Sequence, residues 1–152
     1  MTVNHLSASK SVEKVEVSVA GGATHSLEID TIGFAHASID VAFSPFTAAA
    51  ATAATAATVL RVAHSDVSGS GQTNISGFVA GTDFTVAAGS TTGSNVGYTH
   101  RFDVDLRGKK RYLTVYATPV SSVGVVTVAR LSKGETGPTS ASDKGVNTQA
   151  VG

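Results

Sequence analysis

Phe102-Asp103-Val104-Asp105-Leu106, then Arg107-Gly108-Lys109-Lys110, then Arg111-Tyr112-Leu113-Thr114-Val115-Tyr116-Ala117 is the most strongly patterned stretch of the chain. In the first run three apolar residues alternate with two carboxylates, so a period of two places Phe102, Val104 and Leu106 on one face and Asp103 and Asp105 on the other. That pattern predicts a half-buried strand. The third run is rich in β-branched and aromatic residues, which favour strands. The charged tetrapeptide between them is short and contains a glycine able to take positive φ, so the sequence predicts a β-hairpin.

The same alternation recurs on both sides of this stretch. Val12 begins a strand in which Val15, Val17 and Val19 are expected to face the core, with Glu16 and Ser18 on the opposite face, and Gly21-Gly22 ends it. Leu27-Glu28-Ile29 is a shorter version. In Ala37 to Phe43 the inward set is Ala37, Ile39, Val41 and Phe43, and Pro45 closes the run because proline cannot donate to a ladder. Leu60 and Val62 are expected inward on the next strand. Ile75 to Val79 and Phe84 to Val86 read as short strands, and Val125 to Leu131 as the last one.

The alanine-threonine tract from Thr47 to Thr58 is read as an irregular excursion between strands. Thr52, Thr55 and Thr58 recur every third residue, which drifts around a helix of 3.6 residues per turn and leaves no apolar stripe to dock one. The predicted organisation is an N-terminal arm over residues 1–11, a β-sandwich over 12–131 and a polar tail over 132–152. The arms have too little apolar surface to fold alone and are expected to be flexible. About eight short antiparallel strands with Gly/Ser/Thr-rich connections predict an all-β, jelly-roll-like sandwich. An immunoglobulin-like sandwich is the second candidate, lacking its Cys-Trp-Cys landmarks.

Composition narrows the task. The 152 residues suit a single domain, and a fold of that size buries about 70% of its unfolded surface. Only 14% of residues are charged, the formal net charge is +0 and the mean hydropathy is +0.15, a low ionic cover for a free monomer. Part of the surface is therefore expected to be covered by other protein. A neutral chain has no general attraction for nucleic acid or an anionic membrane. There is no cysteine, so disulfides and thiolate metal sites are excluded. The opening residues lack the pattern of a signal peptide, and no run of ~18 apolar residues predicts a membrane span.

Few residues suggest chemistry. His64-Ser65-Asp66 holds the residue types of a catalytic triad, but neighbours on a strand point to opposite faces and cannot align. His5, His25, His36, His64 and His100 are scattered without metal-ligand spacing. Asp103 and Asp105 share a face, and two carboxylates alone make a poor hard-cation site. The expectation is thus a protein without catalytic residues, metal or cofactor. The candidate binding element is the basic cluster Arg107, Lys109, Lys110 and Arg111, read either as a solvated tip or as a tip that docks on an acidic protein surface. A nucleic-acid role is disfavoured, since the cluster lacks an interleaved aromatic platform.

Three blocks carry a resemblance: Ile29 to Val41, Leu60 to Asp66, and Phe102 to Leu113. Together they resemble the head decoration, or cement, proteins of tailed bacteriophages. The resemblance implies a jelly-roll-like homotrimer on the capsid surface of a virion, made in the bacterial cytoplasm and bound to the major capsid protein. Its role would be to stabilise the assembled shell by bridging capsid subunits. The alternative is a phage surface or tail adhesion module that binds host carbohydrate on the same kind of sandwich.

Overall fold

A computed structural model describes residues 9–46, 55–88, 97–134 and 142–148. Eight strands follow one another: β1 Lys10–Val19, β2 His25–Asp30, β3 His36–Phe43, β4 Ala57–Ser65, β5 Thr73–Val79, β6 Tyr98–Asp105, β7 Tyr112–Pro119 and β8 Val123–Ser132. They form two four-stranded antiparallel sheets, ordered β1-β8-β3-β6 and β2-β7-β4-β5. This order is that of a jelly roll, with two Greek keys wound on one another. Each consecutive connection crosses from one sheet to the other, apart from β4 to β5.

That crossing rule corrects the predicted hairpin. The turn exists, with Gly108 at φ 74° and the Lys109 amide donating to the Leu106 carbonyl at 3.0 Å. The strands it joins do not pair with each other: β6 pairs with β3, while β7 lies between β2 and β4. A local hairpin would satisfy backbone hydrogen bonds but leave both apolar faces on one sheet. Sending the two strands to facing sheets lets Phe102 and Val104 pack toward Leu113, Val115 and Ala117, all buried. Two smaller corrections follow the same logic. Phe84 to Val86 is no strand, since Phe84 makes a single bridge to Ala80 after a turn held by Asp83, whose carboxylate accepts from the Gly77 and Val79 amides. Lys10 and Ser11, read as the end of an arm, are the first residues of β1.

The core is built as the alternation predicts for most strands. Ala37, Ile39, Val41 and Phe43 of β3 are fully or almost fully buried, as are Leu60 and Val62 of β4 and Val125, Ala129 and Leu131 of β8. β7 is enclosed on both faces, with Thr114 and Thr118 buried on the side away from the core. Thr58 and Ala57 belong to β4; residues 47–54 of the alanine-threonine tract lie outside the described residues.

The two open seams of the sandwich are closed by different chemistry. On the β5/β6 side, Phe84 stacks on His100 at 4.6 Å and both rings meet Phe102, with Phe78 edge-on to it at 6.0 Å. Burial pushes the His100 imidazole below its usual pKa. On the β1/β2 side the seam is polar. His25 is fully buried, with Nε2 3.0 Å from the Thr127 hydroxyl and Nδ1 3.2 Å from the Glu16 carboxylate. Lys14 donates to the Ser26 carbonyl at 3.0 Å and pairs with Glu16 at 2.7 Å. These contacts reverse the predicted orientation of β1.

Candidate functional site: the outer face of the β1-β8-β3-β6 sheet

Because Lys14 and Glu16 turn inward at the edge of the sandwich, Val15 and Val17 turn outward; they are 59% and 90% exposed. Only after a register shift between Glu16 and Val19 does Val19 point into the core. Inverting the predicted face has a physical basis: β1 is an edge strand, and its inner side meets the polar group of His25 and Thr127, where a lysine and a carboxylate find partners and valines would leave polar atoms unsatisfied.

The cross-strand register lays out the outer face row by row. Val15 lies beside Val126, Ala42 and Thr99; Glu13 beside Val128, Asp40 and Arg101; Ser11 beside Arg130, Ser38 and Asp103. Val128 is 36% exposed, and Val126 is partly exposed. The face thus runs from a valine strip on the β1 side to a charged strip on the β6 side. Arg101 makes a bidentate contact with Asp40, each bond 2.7 Å long, and holds that carboxyl below its usual pKa. Small Ser38 leaves a shallow depression among Asp40, Arg101, Val128 and Arg130.

The opposite sheet is covered where this one is bare. The β4–β5 connection folds over it, with the Ser68 hydroxyl and the Gly69 amide donating to Glu28 at 2.6 and 2.8 Å. Ala63 and Thr114, which lie in the Glu28 row, are buried in consequence. Ile32 and Val67 are exposed elsewhere, each on a turn or loop. Clustering on a sheet face is what sets the valines apart, since single exposed hydrophobics are ordinary.

The predicted basic cluster is gathered at one end of the sandwich, and most of its charge is spent within the chain. Arg107 pairs with Asp105, Lys110 with Asp66 at 3.1 Å, and Arg111 forks onto Asp30 at 2.7 and 2.9 Å. Arg111 also lies over the Tyr112 ring. Asp105 and Asp30 are held below the usual carboxylate range by their arginines. Lys109 is exposed and has no ion-pair partner among the described residues.

The triad residue types are dispersed. The Ser65 hydroxyl donates to the Val67 carbonyl, His64 Nδ1 accepts from the Lys110 amide at 3.2 Å, and Asp66 faces Lys110. Burial and the neighbouring lysines push the His64 pKa down. Among the described residues, no three His, Asp or Glu side chains converge as metal ligands would; His5 lies outside them. Asp103 faces solvent next to Ser38, without an ion pair among the described residues.

Sequence reasoning missed the valine face, though two signals for it are present. Val12 and Val15 are three apart and cannot share a face of an unbroken strand. Consecutive Val125-Val126, with Val128 beyond, makes β8 apolar on both sides. Compared with known proteins, the chain matches no family model and no curated sequence.

Proposed function

We propose that the chain is a non-enzymatic structural protein that binds the outside of an assembled phage capsid and stabilises it by bridging capsid subunits. The observation that carries this reading is the valine strip: Val15, Val17, Val126 and Val128 form an apolar surface on an otherwise folded and closed sandwich. Burying them against a protein partner removes that surface from water, at roughly 25 cal/mol per Å². The low charge of the chain and its resemblance to cement proteins point the same way. The face is better placed than the basic tip for this contact, because three of the tip's four cations already have carboxylate partners.

The mechanism is linkage. A module that binds the closed shell, and its separated subunits less well, adds its binding free energy to the closed form. Many copies around a shell accumulate the effect even where each contact is weak.

The experiment is co-sedimentation with undecorated phage heads. Saturable binding is expected, and Val17→Asp should weaken it at least tenfold while leaving the circular dichroism unchanged. The reason is that a carboxylate would be trapped without a partner in an apolar contact, at a cost of about 2 kcal/mol or more. No binding to heads, or retention on glycans alone, would turn the reading toward carbohydrate adhesion.

A further inference from the structure

We infer that the free edge of β1 is a self-association surface, where a second copy of this chain adds its own β1 antiparallel about Val15 and the two four-stranded sheets continue as one. The inference rests on the reading of the valine strip as an interface and names one occupant for its β1 side.

Among the described residues, β1 pairs on one side only, with β8, so its other edge is open and its backbone is aimed outward. Ser11, opposite Arg130, sends its amide away from β8 to the Lys144 carbonyl at 2.7 Å. Hydrogen-bonded and non-hydrogen-bonded pairs alternate along an antiparallel ladder, so Glu13 and Val15 turn their amides and carbonyls the same way. The contact at Lys144 shows that this edge accepts an added length of chain, here the chain's own. Among the described residues, no such backbone contact reaches the Glu13 or Val15 amide.

The side chains are self-complementary in one register. With Val15 opposite Val15 of the second copy, Lys14 falls opposite Glu16 and Glu16 opposite Lys14, while Glu13 meets Val17 in both directions. Lys14 and Glu16 stand at positions that do not hydrogen-bond across the new edge, where facing side chains approach most closely. Inward-pointing charges on an edge strand ordinarily discourage pairing. Here each such charge meets its opposite, and the two side chains are 38% and 33% exposed, within reach of a neighbour. Shifting the register by two residues would oppose Lys14 to Lys14 or Glu16 to Glu16, which disfavours the alternatives. Ser11 would fall opposite Val19, beyond the partner's register shift after Glu16, so the Lys144 contact and the added strand occupy different parts of the edge. The arrangement is two-fold and closes as a dimer; it differs from the three-fold association that the resemblance implies.

The chain has no cysteine, which gives a clean test with the full-length protein. Light scattering should give a dimer that dissociates on dilution. Val15→Cys places two thiols at the symmetry axis, with Cα atoms about 5.5 Å apart, a spacing that a disulfide spans. Under mild oxidation it should form a covalent dimer at least tenfold faster than Val128→Cys, which lies one strand in from the edge. Lys14→Glu and Glu16→Lys should each abolish the homodimer, and mixing the two variants should restore a heterodimer, a rescue that repair of the Lys14–Glu16 pair within one chain could not mimic. A monomer at every concentration, a trimer, or equal cross-linking rates at the two positions would overturn the inference. Head binding is read separately: dimer without it would overturn the proposed function and leave this pairing standing, and head binding by a monomer would do the reverse.

Discussion

Replacing Phe43 by alanine is expected to destabilise the fold by about 3–5 kcal/mol, a large part of the roughly 5–15 kcal/mol that a domain has. Phe43 is 1% exposed and ends β3 between β8 and β6, opposite Val125 and Tyr98. Its ring lies 6.2 Å from that of Phe46 and 6.0 Å from that of Tyr98. Truncation removes the apolar contact and leaves a hole that fixed backbones on either side cannot close. The urea midpoint should fall steeply with an unchanged slope. Val17→Ala, at a 90% exposed position, should shift the midpoint hardly at all. Equal shifts for the two substitutions would mean that the assignment of inside and outside is wrong.

The second large effect is an acid weakening centred on His25. Burial pushes its imidazole below the ordinary histidine value, and this outweighs the pull of Glu16 in the other direction. In the unfolded chain the same residue takes up a proton near pH 6.5. Below that pH the unfolded state therefore binds more protons than the folded one, and stability falls as pH is lowered until the depressed folded value is reached. His64 and His100 are shifted in the same direction and add to the slope. Each proton contributes at most about 1.4 kcal/mol per pH unit. Glu16, Asp30 and Asp40 are held below their usual values by their cationic partners, and their share is lost only at lower pH, through the carboxylate range. Denaturant midpoints should decline between pH 7 and 5, and His25→Gln, which cannot titrate, should flatten the decline. A midpoint that rises toward pH 5 would contradict the buried neutral imidazole.

Inner strands were legible because they have one solution. Along β3, four apolar residues at alternate positions admit no other face, and the same holds for Leu60 and Val62 and for Phe102 and Val104. The number of strands and the sandwich class follow from repeating that pattern between small-residue turns. What could not be read locally was which strand faces which. The Arg107 to Lys110 turn has the composition of a hairpin loop, and only the need to cover two apolar faces at once sends β6 and β7 to different sheets. β1 misled for a related reason. Its valines alternate as a core strand should, yet the inner side at that edge is already claimed by His25, which comes from β2 and is distant in sequence from its partner Thr127. An edge strand is specified by what lies beneath it, and that is a tertiary fact. The candidate site suffers doubly, since the face that carries it was assigned to the core and the basic tip that stood out in the sequence meets its carboxylates only on folding.

Single thiols on a cysteine-free chain distinguish contact through the valine face from contact through the basic tip. Val128→Cys marks the valine face and Lys109→Cys marks the exposed tip; each would be treated with a maleimide before and after binding to undecorated heads. Binding is expected to protect the thiol at position 128 by at least tenfold while the one at 109 still reacts. Protection at 109 with free reaction at 128 would place the contact at the basic tip and contradict the valine-face contact.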